Sequence, residues 1–336
     1  SVLNHKPSHS RTPRNCPYGW QKNHPLPAAY SRFGSFDQLA EDNNKRINDI
    51  LAELQKKTYK KGTIEQKLSD FYKQALDMES RNKVGIAPVK PLLDEMEAAK
   101  SKADLEKIQL KYAAQGYGVS FGGGFGADEK NVTMNIFQLS QGGLTLGQKD
   151  YYVNNDEATV AIREAFKKYI ADMFKLYGFS AEQAEEKAQA VFQHETMLAL
   201  ISKSATELRN PQANYNKMTL KEFQSNYPNL HLEEMCNAEG IKSEFIQDMI
   251  VGQPAFMEGL DKITAAESAA TLKALMEWDV ITSSAAYLTD EIRECNFDFF
   301  GKTMSGRKED YPLWKRAVNY CNQVCDPLFT LHRLPY

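Results

Sequence analysis

Apolar residues recur at three-to-four spacing along most of this chain, the period of helices that each bury one face. From Ser35 the series Phe36, Leu39, Ile47, Ile50, Leu51 and Leu54 predicts a first helix, with Ser35 placed to cap it. A second is expected over about residues 65–78, where Leu68, Phe71, Tyr72, Ala75 and Leu76 share a face. Pro88 and Pro91 then interrupt, and Pro91 suits the first turn of a helix carrying Leu92, Leu93 and Met96. A fourth helix fits residues 103–113. Further helices fit residues 157–177, 180–204, 243–251, 267–289 and 311–324. Three pairs have capping-box spacing: Ser180 with Gln183, Thr219 with Glu222, and Thr264 with Glu267.

The period changes to two in a single region, residues 116–144. Val132, Met134 and Ile136 alternate with Thr133, Asn135 and Phe137, and Asp128-Glu129-Lys130-Asn131 supplies a turn. The glycines at 122, 123, 124 and 126 fit neither a phosphate-binding loop nor a dinucleotide fingerprint, and read as strand and turn glycines. Arg209-Asn210-Pro211 and Asn214-Tyr215-Asn216 read as a turn joining two helices. The pattern therefore predicts a mainly α fold with a small β hairpin or sheet insert.

Composition narrows the function classes. With 336 residues, 42% hydrophobic and 25% charged, the chain has the make-up of a globular protein with a substantial core. Lys and Arg number 41 against 44 Asp and Glu, and no basic stripe is present, which argues against a nucleic-acid partner. No apolar run approaches the ~20 residues of a membrane-spanning helix. The first twenty residues are polar, without the apolar core of a secretory signal, and begin at Ser1. Residues 1–18 carry Pro, Ser, Arg and His without periodicity and read as an unstructured arm. The five cysteines are too few for a disulfide framework. Cys321 and Cys325, four apart with no histidine near, make a poor zinc signature.

Two histidines at i and i+4 with a glutamate after the first would hold and use a catalytic zinc. His5 and His9 have the spacing, but Lys6 stands where the glutamate belongs and Pro7 breaks the helix. His194-Glu195 begins the motif and Leu198 ends it wrongly. Val191, His194, Leu198 and Ile201 share one helical face, so His194 reads as a packed helix residue.

Three long segments carry a resemblance. Gly143 to Val153, GLTLGQKDYYV, is similar to the GLP-x-x-DYY signature of the neprilysin family of zinc metallopeptidases. That family includes the endothelin-converting enzymes and the bacterial PepO type. Leu208 to Leu220, LRNPQANYNKMTL, resembles a second family segment, and Gly19 to Asn43 resembles a third, earlier one. Trp314 to Tyr320 resembles the family's W-x-R-C/A-x-NY segment. The resemblance implies a two-lobed zincin-type enzyme, of which this chain is the helical lobe over residues 19–324. It implies an extracytoplasmic setting, small peptides as substrates, and zinc in the full-length enzyme. The family's zinc ligands lie in H-E-x-x-H and E-x-x-x-D motifs beyond this region and have no counterpart here. No zinc site and no catalytic residue are therefore expected in this chain, nor peptidase activity without the missing C-terminal half.

Arg32 and Asp37 match positions that, in neprilysin-like enzymes, help bind the C-terminal side of the substrate. A guanidinium fork suits a carboxylate or peptide carbonyl, with the aspartate to orient it. An ordinary ion pair at a helix start is the competing reading, and the family's second arginine falls at Ala40. Both ends, residues 1–18 and 325–336, depart abruptly from the resemblance, as a frameshifted or truncated gene would produce. The alternative to an enzyme part is a stand-alone helical protein that binds peptides without cleaving them.

Overall fold

The computed structural model describes residues 26–113 and 120–333. In chain order the first helices are α1 (Ser35–Leu54), α2 (Ile64–Leu76), α3 (Met78–Val84), α4 (Lys90–Ala98) and α5 (Lys102–Ala113). Strands β1 (Phe121–Asp128) and β2 (Asn131–Gln141) follow, then α6 (Asp150–Val153), α7 (Glu157–Leu176) and α8 (Ala181–Ile201). Next come β3 (Lys217–Thr219), α9 (Leu220–Asn226), α10 (Leu232–Ala238) and β4 (Asp248–Val251). The chain closes with α11 (Pro254–Ala266), α12 (Ala269–Ser284), α13 (Asp290–Asn296), a π-helical segment Phe297–Met304, and α14 (Leu313–Arg333). The expected α fold with a small sheet is present. The arm over residues 1–18, Cys16, and the pair His5 and His9 lie outside the described residues.

Two compact units form, one from residues 1–81 with 300–336, the other from Asn82–Phe299. In the first, α1 and α2 bury Leu51 and Leu68 completely against Ala317, Val318 and Cys321 of α14. The core stripe of α1 begins only at Ile47. Phe36 and Leu39, expected on that stripe, are 87% and 56% exposed. They continue its period three turns too early, where this unit's core does not extend. Gly34, not Ser35, is the N-cap of α1, because Asp37 Oδ2 accepts the Gly34 N–H at 2.8 Å. Lys315 of α14 is buried against this end of the unit. It is paired with Glu41, hydrogen-bonded to the Tyr30 hydroxyl, and lies 3.8 Å from the Tyr311 ring centre.

The second unit is built around a four-stranded sheet of order β1-β2-β4-β3. The predicted hairpin pairs antiparallel, Phe125 opposite Phe137, and β2 then runs parallel to β4 with Phe137 opposite Met249. Residues 243–251 are therefore not a helix: a short 3-10 turn, Ser243–Ile246, leads into β4. Met249, Ile250 and Val251 are all buried, as expected of a strand covered on both faces and edges, and such an apolar triplet has no period that separates strand from helix. The Asn-Pro segment contains two 3-10 turns, Glu207–Arg209 and Gln212–Asn214, and leads into β3 instead of joining two helices directly.

Two capping boxes form as expected, at Ser180–Gln183 and Thr219–Glu222. The third does not. Thr264 lies in the last turn of α11, Glu267 is its C-cap, and Ser268 caps α12 by accepting the Thr271 N–H at 3.1 Å. The helix expected over 267–289 accordingly starts later and ends at Ser284 in a 3-10 turn. Along α7, Phe166, Tyr169 and Phe174 pack around Trp278 of α12, and Tyr169 stacks on Phe299 with ring centres 4.8 Å apart.

Gly259 lets α11 approach α8 closely, for a Cβ there would lie 2.8 Å from Ile201 Cγ2. Glycine in a helix ordinarily costs about 1 kcal/mol relative to alanine. We expect the reverse here: Gly259→Ala loses about 1 kcal/mol of stability through overpacking. Adding Ile201→Ala, measured as a double-mutant cycle in urea, should recover the alanine's helical advantage. Additive losses would show that the contact is not the cause.

Candidate functional site

The glycine-bounded turn at 143–147 is fixed by one buried carboxylate. Gly143 has φ +78°, and a Cβ on it would meet Leu198 Cδ1 at 2.8 Å and the Ser120 backbone at 3.1 Å. Only glycine suits both conditions. Glu195, on α8, then receives the Thr145 N–H at 3.1 Å, the Thr145 hydroxyl at 2.6 Å and the Tyr152 hydroxyl. Tyr152 in turn accepts the Leu146 N–H at 3.1 Å, and Trp278 Nε1 donates to Thr145 Oγ1 at 3.2 Å. Burial raises the Glu195 carboxyl above the usual range even though its three donors pull the other way. The turn, the DYY aromatic pair, α8 and α12 thus meet at one group.

His194, the neighbour of Glu195, is also buried, with Nδ1 2.6 Å from Glu267 Oε1. Among the described residues neither of those two atoms has a partner in hydrogen-bond geometry, so the contact is one of proximity alone. Leu198, where a zincin would place its second histidine, is wholly buried in the core with Phe137 and Phe223. A zinc ion does not fit this donor set: the histidine lies against Glu267, the glutamate is held by its three donors, and the third position is a hydrocarbon. Among the described residues no three His, Cys, Asp or Glu side chains are grouped to hold a metal.

A cavity of about 370 Å³ opens beside this network. Its apolar side includes Leu144, Leu230, Leu260, Met276 and Trp278; Glu106, Glu267 and Asp279 supply carboxylates. Lys102 also lines it, but its ammonium is bonded to the Thr264 carbonyl. His231, at the start of α10, holds a left-handed φ of 47° on the cavity wall. The sequence offered no sign of this cavity, because its walls come from segments up to 180 residues apart.

A second charge cluster, sheltered at Lys187 and Glu277 and open at Glu97, also escaped the sequence. Lys187 Nζ lies 2.9 Å from Glu97 and 2.6 Å from Glu277, tying α8 to α4 and α12. Burial, with the hydrogen bond it shares with Glu97, pushes the Glu277 carboxyl up to about 8 against the pull of Lys187. Burial also raises the Glu97 carboxyl, but the bonds from Glu277 and Lys187 outweigh that and hold it below its ordinary value.

The two residues expected to bind substrate lie in the first unit. Arg32 is exposed, in the turn before α1. Asp37 is half-buried and caps α1 through Gly34, and among the described residues no ion pair joins it to Arg32.

Glu195→Ala should cost about 3 kcal/mol in urea unfolding, since it strands a buried hydroxyl and amide. Thr145→Val, which removes one bond from a carboxyl that keeps another, should cost about 1 kcal/mol. Equal costs would show that Glu195 is not the hub. The raised Glu277 carboxyl binds a proton in the folded state that the unfolded chain has released, so its stabilisation is complete below its unfolded pKa and fades as pH rises towards 8. Glu277→Gln should flatten the fall in stability between pH 5 and 8 by up to about 1.4 kcal/mol per pH unit. An unchanged slope would assign the proton elsewhere.

Comparison with known proteins gives this geometry its context. The chain is 25% identical to Neprilysin-3 of Drosophila melanogaster over 324 residues, covering 91% of this chain and 41% of that one. It is 23% identical to human endothelin-converting enzyme 1, covering 90% of this chain and 40% of that protein. The chain thus spans about two fifths of the length of these curated relatives. Among solved structures, the Mycobacterium tuberculosis zinc metalloprotease Zmp1 superposes with a TM-score of 0.86 at 24% identity, over 94% of this chain and 48% of the other. PepO from Lactobacillus rhamnosis superposes with a TM-score of 0.75 at 19% identity, over 91% and 48%. Both share the helical fold with its small sheet. Residues 16–330 match the sequence profile of peptidase family M13, and the chain belongs to that family, corresponding to the N-terminal region of the neprilysin-like metallopeptidases.

Proposed function

We propose that this chain is the non-catalytic helical part of a zinc endopeptidase that cleaves small peptides, working only with a C-terminal catalytic half. The observation that carries this reading is a family match running through 16–330 of the chain, joined to a fold in which the one His-Glu pair on a helix is committed to packing. Zinc, the nucleophilic water and the general base would come from the other half. An extracytoplasmic compartment fits the neprilysin-type resemblance, and among the described residues no helix is long and apolar enough to cross a membrane.

Within this reading Arg32 takes the C-terminal side of the peptide. Its exposed guanidinium is not tied to Asp37, which leaves its fork for a carboxylate or carbonyl of the substrate. Asp37 acts one step back. By accepting the Gly34 amide it fixes the turn that carries Arg32, and at N3 it is also favoured by the helix dipole.

The chain alone should hydrolyse no quenched-fluorescent peptide, with or without added zinc. Zinc bound one-to-one and supporting hydrolysis would overturn the proposal. In the full-length assembly, Arg32→Ala should raise KM for peptides with a free C-terminus about tenfold with little change in kcat, as loss of uniform binding does. Arg32→Lys should recover only part of it.

A further inference from the structure

We propose that Arg307 is a positioning residue: with Tyr30 and Lys315 it fixes the turn that presents Arg32, so the exposed guanidinium meets a peptide on a backbone already held in place. The inference rests on the reading of Arg32 as a substrate contact, and every group it uses lies in the first unit.

The stretch from Ala28 to Gly34 is anchored at both ends. The Ala28 carbonyl accepts two amides, Lys308 N–H at 3.0 Å and Glu309 N–H at 3.2 Å. One residue on, the Ala29 carbonyl accepts Arg307 Nε–H at 2.9 Å, from a side chain 278 positions away. At the far end Asp37 Oδ2 accepts the Gly34 N–H at 2.8 Å. Between these anchors Tyr30 and Phe33 are half-buried and meet edge to face, with ring centres 4.9 Å apart. Ser31 and Arg32 are the exposed residues of the stretch.

Arg307 suits this task by its shape. Its guanidinium reaches the Ala29 carbonyl through Nε and Asp310 through Nη2 at 3.4 Å, while its central carbon lies 4.2 Å from the Tyr311 ring centre. A lysine ammonium, a point charge, does not make all three contacts at once. Asp310 also accepts the Tyr311 N–H at 2.7 Å. Tyr30 is held from the other side. Lys315, buried, donates to the Tyr30 hydroxyl at 2.5 Å, and that hydroxyl donates to Glu41 of α1. Burial first, and then the bond to Glu41, pushes the Tyr30 hydroxyl up, so it remains protonated and a donor. A long side chain on a mobile loop loses both backbone and rotamer freedom when it binds. On a turn whose neighbours are already bonded, folding has met the backbone share, and binding orders the Arg32 side chain alone.

Two experiments test this. In this chain alone, Arg307→Ala should speed hydrogen exchange about tenfold over residues 28–36 and 305–311, read by mass spectrometry, and leave α2 unchanged. Equal acceleration in α2 would mean general loss of stability and overturn the positioning role. In the full-length assembly, Arg307→Ala should raise KM for peptides with a free C-terminus about fourfold, with kcat nearly unchanged. Arg307→Lys should restore little of that loss. Tyr30→Phe should raise KM about twofold, and it decides the matter should Arg307→Ala fail to fold. In an Arg32→Ala background neither change should raise KM further, because both act through the one guanidinium. KM effects that multiply, or a fall in kcat, overturn the inference and leave Arg32 a substrate contact. A wild-type KM for Arg32→Ala itself overturns that reading and this inference together.

Discussion

The second unit depends on a carboxyl group buried at 3% exposure. Glu195 sits on α8 facing inward, where an isolated carboxylate would cost several kcal/mol to bury. It is tolerated because Thr145 supplies an amide and a hydroxyl and Tyr152 a second hydroxyl. The two Thr145 donors come from a turn that exists only because Gly143 adopts φ +78° beneath Leu198, and Tyr152 comes from α6 just after it. The Trp278 indole closes the arrangement from α12. Helix, turn and aromatic pair are therefore conditional on one another: remove any one and a buried polar group is left unpaired, which is the costly state.

The same constraint orders the sheet. β2 leads directly into the turn, so fixing Gly143 also fixes where β2 ends and allows Gly252, just past β4, to donate to the Leu139 carbonyl at 2.8 Å. Hydrophobic burial supplies the bulk of the stabilisation here, through Phe137, Leu139, Met249, Val251 and Phe256. It does not by itself choose a register. The polar bonds at the strand ends do, and Gln253 shows it again by accepting the Gln141 N–H at 2.8 Å while donating to Asn214 at 3.1 Å.

What could be read from the sequence was what is local. Helix periods, the hairpin turn at Asp128–Asn131 and the caps at Ser180 and Thr219 depend on neighbours within a few residues. They appear where expected. Short elements whose identity is tertiary did not announce themselves. Met249-Ile250-Val251 is a strand only because β2 and β3 flank it, and Thr264 fails as a cap only because Pro254 starts a helix that runs through it. Phe36 and Leu39 kept the helical period but lacked a partner in their own unit. The long Gly-Leu-Thr-Leu-Gly run revealed family membership, yet its physical purpose, to bring Thr145 to Glu195, needed a residue fifty positions away. The cavity and the Lys187 cluster were invisible for the same reason.

The dipeptide His194-Glu195 shows how little two residue types decide by themselves. On a zincin helix the histidine and glutamate face a metal, and a second histidine one turn later completes the site. Here that later position is Leu198, and the helical face it shares with Val191 points into hydrocarbon. A face cannot pack against Phe137 and Phe223 and also present ligands to an ion. Once Leu198 is committed to the core, His194 goes with it and must find a carboxylate, which Glu267 provides. Glu195, one position round the helix, is turned towards the 143–147 turn and is claimed by Thr145 and Tyr152. The resemblance to a catalytic motif is thus resolved by the fourth residue along: its side chain determines whether the preceding pair serves a metal or holds a scaffold together.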